Sequence, residues 1–157
     1  MTPGTFTQMY VQLVFAVRNR NAMLTKTIRE EVFRYISKIL TNKKHKSIIV
    51  NGTDNHVHIL LGMNPSVSVS DTVHDIKRSS SLFINREMMC PARFSWQEGY
   101  GGFTYSRSQL DTVYKYIQNQ EFHHTDINFK HEYINMLNEN QVEFEPDFMF
   151  DFREENI

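Results

Sequence analysis

Two histidines separated by one apolar residue, His56 and His58, lie in the run of residues 55–61. The apolar and β-branched residues around them predict a buried β-strand. Successive side chains of a strand point to opposite faces, so the two imidazoles project side by side from one face while Val57 and Ile59 enter the core. Two imidazoles in this arrangement can bind one metal ion.

Taken alone, the pair is a weak motif. One structural histidine beside one partly exposed histidine explains it as well as a metal site does. A histidine-triad nucleotide hydrolase would continue the alternation with a third histidine at position 60, where this chain has Leu60. That class of enzyme is therefore disfavoured, and other residues must decide.

A second chemical group occurs in residues 113–120, inside a predicted helix. Tyr116 and Gln120 are four residues apart and share a helix face, so a phenol and an amide oxygen could contact the same ion or phosphate. Tyr114 and Gln118 have the same spacing. Because both tyrosines flank the predicted apolar stripe, helical geometry does not choose between them, and either could simply pack at the edge of the core.

The whole-chain composition predicts one globular domain, residues 1–157, with an acidic tail at about 138–157. Of its 157 residues, 40% are hydrophobic and 22% are charged. The single cysteine, Cys90, excludes an intramolecular disulfide and a four-cysteine zinc site, and it favours a reducing compartment. No apolar run approaches the roughly 20 residues of a membrane span. We therefore expect a cytoplasmic protein with no membrane partner.

Charge is unevenly distributed along the chain. Residues 1–126 contain 15 Lys and Arg against 10 Asp and Glu, whereas residues 127–157 contain 2 against 8. A mildly basic body is compatible with phosphate binding, although an ordinary solvated surface explains it equally well. The candidate phosphate contacts are Arg18 and Arg20 beyond the first strand, and Lys77 and Arg78 on the second helix.

The glycines near residue 100 do not form a phosphate-binding loop. Gly99, Gly101 and Gly102 lack both the GxGxxG spacing and the GK[ST] ending. They are better explained by a bulge or a tight turn. We expect no nucleotide cofactor.

The hydrophobic periodicity predicts the element order β-α-β-β-α-β-α. Strands are predicted at residues 10–17, 47–50, 56–62 and 99–105, with an antiparallel hairpin joining the second and third. This order predicts an α+β, ferredoxin-like or RRM-like sandwich: a four-stranded antiparallel sheet with helices mainly on one face.

Helix starts are predicted from their capping residues. Thr27 and Glu30 fit a capping box for the first helix, and the second begins near Ser70 or Asp71. The third helix is capped by Ser106 or Ser108 and runs to about residue 123, and a further helix covers about residues 130–137.

The chain resembles the single-tyrosine HUH transposases of the insertion sequence 200/605 type, which are named for two histidines around one hydrophobic residue. The resemblance runs through most of the chain and includes the Tyr-Ile-Gln-Asn-Gln run that starts at Tyr116. The segments that carry it, in order, are residues 14–20, 56–60, 67–70, 76–81, 96–101 and 116–124.

This resemblance implies that His56, His58 and Gln120 bind Mg²⁺ or Mn²⁺ and that Tyr116, not Tyr114, is the nucleophile. The family usually has an aspartate immediately before the first histidine, where this chain has Asn55. An amide oxygen can also orient a histidine that binds metal.

The resemblance further implies a homodimeric enzyme that acts on single-stranded DNA with a hairpin at each element end. The tyrosine would form a covalent bond to the 5′ phosphate and release a 3′ hydroxyl, and a second 3′ hydroxyl would then rejoin the strands. The alternative hypothesis is a non-catalytic or domesticated protein on the same fold that binds single-stranded hairpins without cutting them.

Overall fold

The structure, a computed structural model, describes residues 3–19, 21–122 and 127–152. The elements follow the predicted order. The further helix that was expected at about residues 130–137 follows the third helix. The strands are β1 (Tyr10–Ala16), β2 (Lys46–Gly52), β3 (His56–Gly62) and β4 (Gly101–Tyr105), and the helices are α1 (Lys26–Asn42), α2 (Val69–Arg86), α3 (Leu110–Gln118) and α4 (Phe129–Glu139).

The four strands form one antiparallel sheet in the order β2-β3-β1-β4. β3 is central and pairs with both β1 and β2, so its histidines lie in the middle of the sheet. Val14 lies opposite His58, and Ala16 lies opposite His56. The predicted ferredoxin-like, RRM-like α+β architecture is confirmed.

The two faces of the sheet have different roles. Val57 and Ile59 face the main hydrophobic core, which α1 and α2, the two longest helices, cover with Val32, Ile36 and Ile76. The histidines face the other way and are covered by α3 and α4. The larger part of the helical residues therefore lies on one face, and the shorter pair of helices closes the site.

The close approach of α4 to the sheet depends on a glycine. A Cβ atom at Gly101 in β4 would lie 2.8 Å from the ring of Tyr133 in α4. Glycine has no Cβ atom, so Tyr133 can pack directly on the backbone of the strand. With Tyr133 packed in this way, the first turns of α4 lie over the histidine pair.

The helix starts differ from some of the predictions. The capping box at Thr27 and Glu30 is wrong, because α1 already begins at Lys26 after Thr25, which makes no side-chain cap hydrogen bond. α2 also begins earlier than predicted. The Ser68 hydroxyl accepts a hydrogen bond of 3.0 Å from the backbone N–H of Asp71, so this serine is the N-cap.

Ser106, the first of the two predicted caps before α3, begins a 3₁₀ turn. It forms a capping box with Gln109, and α3 follows at Leu110. The described helices include none with the length and apolar character needed to cross a membrane.

Candidate active site

His56 and His58 are both 0% exposed, and their ring centroids are 5.0 Å apart. The alternation of β3 places both rings on the face opposite Val57, as predicted. Phe129 at the start of α4 stacks on the His56 ring at a centroid distance of 3.9 Å. The strand and this aromatic contact together fix the imidazole pair.

The Nδ1 atom of each ring contacts a side-chain amide oxygen. Asn55 Oδ1 lies 2.7 Å from His56 Nδ1, and Gln12 Oε1 lies 2.8 Å from His58 Nδ1. The Thr53 hydroxyl donates to the same Asn55 oxygen at 3.0 Å. Asn55 therefore contacts His56 as expected for an amide in place of aspartate, and both rings have their Nε2 atoms directed toward a common space.

Four donor atoms from three parts of the chain meet in that space: His56 Nε2, His58 Nε2, Gln120 Oε1 and Glu132 Oε1, here called the donor cluster. Glu132 Oε1 lies 2.9 Å from His58 Nε2 and 3.2 Å from His56 Nε2, and Gln120 Oε1 lies 3.0 Å from His56 Nε2. Glu132 is 1% exposed and Gln120 is 0% exposed. Glu132 is not among the site residues predicted from the sequence.

The hydrogen-bonding capacity of the rings makes the donor cluster suited to a cation. A neutral imidazole has one N–H, yet His56 and His58 each have an accepting oxygen beside both ring nitrogens. The contacts are satisfied either when each ring carries a second proton or when a cation lies between the Nε2 atoms and the oxygens. One divalent ion replaces two protons with the same total charge.

The spacing of the donor cluster also fits a divalent ion. Adjacent ligands of an octahedral ion with bonds of about 2.1 Å are about 3.0 Å apart, and the contacts here are 2.9, 3.0 and 3.2 Å. The reactive atoms of His56, His58 and Glu132 all lie within 4.8 Å of one another. Imidazole, carboxylate and amide donors together suit Mn²⁺ and related ions.

Tyr116 joins the cluster through Glu132. Its hydroxyl donates a short hydrogen bond to Glu132 Oε2, the oxygen that also accepts from Gln120 Nε2 at 3.1 Å. Burial, reinforced by the Glu132 charge, raises the pKa of Tyr116 well above its ordinary value. Tyr114, in contrast, is 38% exposed. Of the two tyrosines, only Tyr116 is therefore placed by its contacts beside the histidines.

The histidines and the tyrosine meet within a single chain. α3 ends at Gln118, and a turn at Asn119 separates it from Gln120. Tyr116 and Gln120 therefore do not lie on one uninterrupted helix, although both still contact the carboxylate of Glu132. Asn51 of β2 fixes this turn by donating to the carbonyls of Ile117 and Gln118, at 2.9 and 3.2 Å.

A groove of about 610 Å³, here called the side groove, reaches the cluster from the surface between α3 and α4. Tyr116 and Glu132 line its inner end. Its described lining includes Glu139 but no lysine or arginine. A phosphate entering the side groove would meet carboxylates, so its binding beside Tyr116 requires a compensating positive charge.

The four predicted phosphate contacts have different surroundings. Arg18 and Arg78 are exposed, and Arg20 lies outside the described residues. Lys77 is half-buried, and its ammonium group donates to the carbonyls of Gln97 and Gly99 at 2.7 and 2.6 Å. Lys77 thus links α2 to the segment before β4, and contact with DNA stays a prediction for all four residues.

We expect Lys77 to make stability depend on pH in the alkaline range. Burial lowers the pKa of Lys77 to about 8, with Arg18 adding to the shift and Glu98 opposing it. Its value in the unfolded chain is about 10.4. Between these values the unfolded chain binds more protons, so the contribution of Lys77 to the free energy of unfolding rises with pH.

The measurement compares wild type with Lys77→Met in urea unfolding at a series of pH values. The difference in unfolding free energy, wild type minus variant, should be flat below pH 8 and should rise up to about pH 10.4. A difference that decreases over this range would contradict the assignment. Taking the difference removes the contributions of the tyrosines and the other lysines.

Sequence reasoning missed Glu132 and Gln12, although each leaves a signal. The buried residues of α4 recur at helical spacing, and Glu132 is the carboxylate within that apolar stripe. Gln12 likewise interrupts an apolar strand and is only 2% exposed. A polar residue at a position that the pattern reserves for the core indicates a buried polar partner.

Comparisons with known proteins identify the family of this chain and structures of similar fold. The model of the family described as IS200-like transposase matches residues 5–120. A candidate transposase from Deinococcus radiodurans R1, solved at 1.90 Å, has a TM-score of 0.59 and 21% identity; the match covers 76% of this chain and 96% of that one. A search of curated proteins found no match.

A second solved structure is similar in fold, a REP-associated tyrosine transposase bound to a REP hairpin. Its TM-score is 0.59 at 14% identity, and the match covers 81% of this chain and 76% of that chain. At these identities the two solved structures show similarity of fold alone, whereas the family match shows to which family the chain belongs. Because the matched residues span most of the chain, the protein belongs to the IS200-like transposase family.

Proposed function

We propose that this protein cleaves and rejoins single-stranded DNA at hairpin-marked element ends, with Tyr116 as the nucleophile and a divalent ion in the donor cluster. The observation that carries the proposal is the shared contact of Glu132, which touches both histidines with Oε1 and the tyrosine with Oε2. One carboxylate therefore couples the ion site to the nucleophile.

The donor cluster would hold Mn²⁺ or Mg²⁺ through His56, His58, Gln120 and Glu132. When bound, such an ion would polarise the scissile phosphate and offset the negative charge that develops during displacement. It would also compensate the carboxylates that line the side groove. The family match does not reach Glu132, so the role of that residue rests on the contacts alone.

The bond changes assign a task to each side chain. The Tyr116 oxygen forms a bond to phosphorus, and the bond from phosphorus to the 3′ oxygen of the neighbouring nucleotide breaks. The phenol proton passes along the existing hydrogen bond to Glu132 Oε2, and the departing 3′ oxygen takes up a proton from solvent water. A 5′-phosphotyrosine and a free 3′ hydroxyl result, and attack by another 3′ hydroxyl reverses the step and joins new strands.

The relative that is bound to a REP hairpin supports a hairpin substrate for this chain. A labelled single-stranded hairpin oligonucleotide, incubated with the full chain and Mn²⁺, should give an adduct that survives denaturation and disappears with a chelator. Peptide mapping should place the nucleotide on Tyr116. Tight binding without an adduct would favour the alternative, a hairpin-binding protein that does not cut.

We expect Arg18 to contact the DNA backbone, because it is exposed and follows β1 at the end of the sheet where His56 lies. Arg18→Gln should weaken hairpin binding for every sequence tested and reduce the slope of log affinity against log salt by about 1. Arg34→Gln is the matched control, an exposed arginine of α1 on the side of the sheet opposite the histidines, and it should leave the slope unchanged. Equal slopes for wild type and Arg18→Gln would remove Arg18 from the proposed surface.

The homodimer implied by the family resemblance is also part of the proposal. One chain already brings Tyr116 to its own histidines. A dimer would therefore serve to hold two DNA ends together, and the site itself would not need a partner. Mixing a Tyr116→Phe chain with a His58→Ala chain tests this: exchange of helices between subunits would restore the adduct, and its absence would place each site within one chain.

A further inference from the structure

Gln12 is a buried amide at the centre of the sheet. It lies in β1, between β3 and β4. It is 2% exposed. Its Oε1 atom lies 2.8 Å from His58 Nδ1 in β3, and its Nε2 donates at 2.8 Å to the Tyr105 hydroxyl in β4. Both contacts run between diagonal neighbours on adjacent strands, Gln12 being paired with Leu60 and Phe103.

The direction of the Gln12 amide decides which nitrogen of His58 carries the proton. An amide oxygen only accepts, so an oxygen against Nδ1 requires a proton on Nδ1. The neutral ring then has its lone pair on Nε2, and that atom faces Glu132 Oε1 at 2.9 Å within the donor cluster. The opposite orientation would place an NH₂ group against Nδ1 and move the proton to Nε2, where it would block a cation.

We propose that Gln12, anchored by Tyr105, is a positioning residue that holds His58 as the Nδ1–H tautomer and so presents its Nε2 lone pair to a divalent ion. The inference rests on the metal site of the proposed function. It gives His58 the counterpart of the contact that Asn55 makes with His56. Outer contacts of this kind orient the ligand and raise its basicity.

Three substitutions separate positioning from a purely structural role. Gln12→Met keeps the length of the side chain and removes both hydrogen bonds, so the Mn²⁺ dissociation constant should rise about 10- to 100-fold. Gln12→Glu retains an oxygen that accepts from Nδ1–H and should bind Mn²⁺ at least as tightly as wild type. Tyr105→Phe removes the hydroxyl that anchors Gln12 and also contacts Asn140, and it should weaken Mn²⁺ binding less than Gln12→Met does.

The readouts are Mn²⁺ affinity, from the electron paramagnetic resonance signal of the free ion, and the ring ¹⁵N shifts of His58 before metal is added, because an ion on Nε2 would fix the proton on Nδ1 in every variant. The shifts should show a protonated Nδ1 in wild type and in Gln12→Glu, and a mixture of tautomers in Gln12→Met. Thr72→Val is the control: it removes a buried hydrogen bond to His45, 3.0 Å long, and should lower stability without changing Mn²⁺ affinity.

Unchanged Mn²⁺ affinity in Gln12→Met, or equal losses in Gln12→Met and Gln12→Glu, would overturn the inference and leave the proposed function in place. Failure of the wild-type chain to bind Mn²⁺ would overturn both. If Gln12→Met does not fold, the Mn²⁺ affinity of Tyr105→Phe is the test. Tyr105 lines the side groove, so loss of its hydroxyl disturbs the core less. An affinity equal to that of wild type in Tyr105→Phe would then count against the inference.

Discussion

Tyr116→Phe is expected to abolish covalent capture of a hairpin oligonucleotide while hairpin binding is retained. Removing one oxygen eliminates the proposed nucleophile and leaves the ring, whose centroid lies 6.2 Å from that of His58. Loss of a nucleophile costs far more than loss of a binding contact, and we expect adduct formation to fall by at least about 10³-fold. Gel analysis after denaturation measures the adduct, and fluorescence anisotropy measures binding.

Tyr114→Phe is the matched control for this prediction, because it makes the same chemical change two residues away on the same helix. Tyr114 is exposed, and its substitution should leave both adduct and binding within about twofold of wild type. If Tyr114→Phe were the inactive variant, the nucleophile would be misassigned. If both variants formed the adduct, neither tyrosine would be the attacking group.

The sheet and the histidine pair could be predicted because both follow from periodicity alone. Alternation in residues 56–62 places the imidazoles on one face whatever the surrounding fold is, and the predicted strand matches β3 residue for residue. The hairpin follows from the turn residues between β2 and β3. Local rules are sufficient where each residue's environment is determined by its neighbours in sequence.

The choice between Tyr114 and Tyr116 could not be made on that basis. Both residues flank the same helical stripe. They are distinguished by a tertiary contact, because Tyr116 contacts Glu132 in α4, sixteen residues further along the chain. The break at Asn119 also has no signal in the sequence pattern, which predicts a helix that continues to about residue 123. At this point Asn51 of β2 donates to the last carbonyls of α3, a contact that exists only in the folded chain.

Glu132→Gln is the substitution that should most change Mn²⁺ binding at the proposed metal site. It keeps the shape of the side chain and removes the negative charge that lies against both histidines at 2.9 and 3.2 Å. Since a contact in the outer shell is worth about 10- to 100-fold in metal affinity, loss of a direct carboxylate ligand should weaken Mn²⁺ binding by at least about 100-fold. Isothermal titration of the full chain with Mn²⁺ measures this.

The same substitution tests whether Glu132 acts as a ligand or merely occupies the phosphate position. If Glu132 is a ligand and a proton acceptor, its loss lowers both Mn²⁺ affinity and adduct formation. If Glu132 instead occupies the position of the phosphate, its loss would relieve repulsion of the incoming phosphate and increase the adduct at saturating Mn²⁺. Glu139→Gln, which lowers the charge of the side groove without touching the histidines in the described contacts, is the control. A rise in adduct confined to Glu132→Gln would exclude the ligand role, because repulsion from the side groove alone would be relieved in both variants.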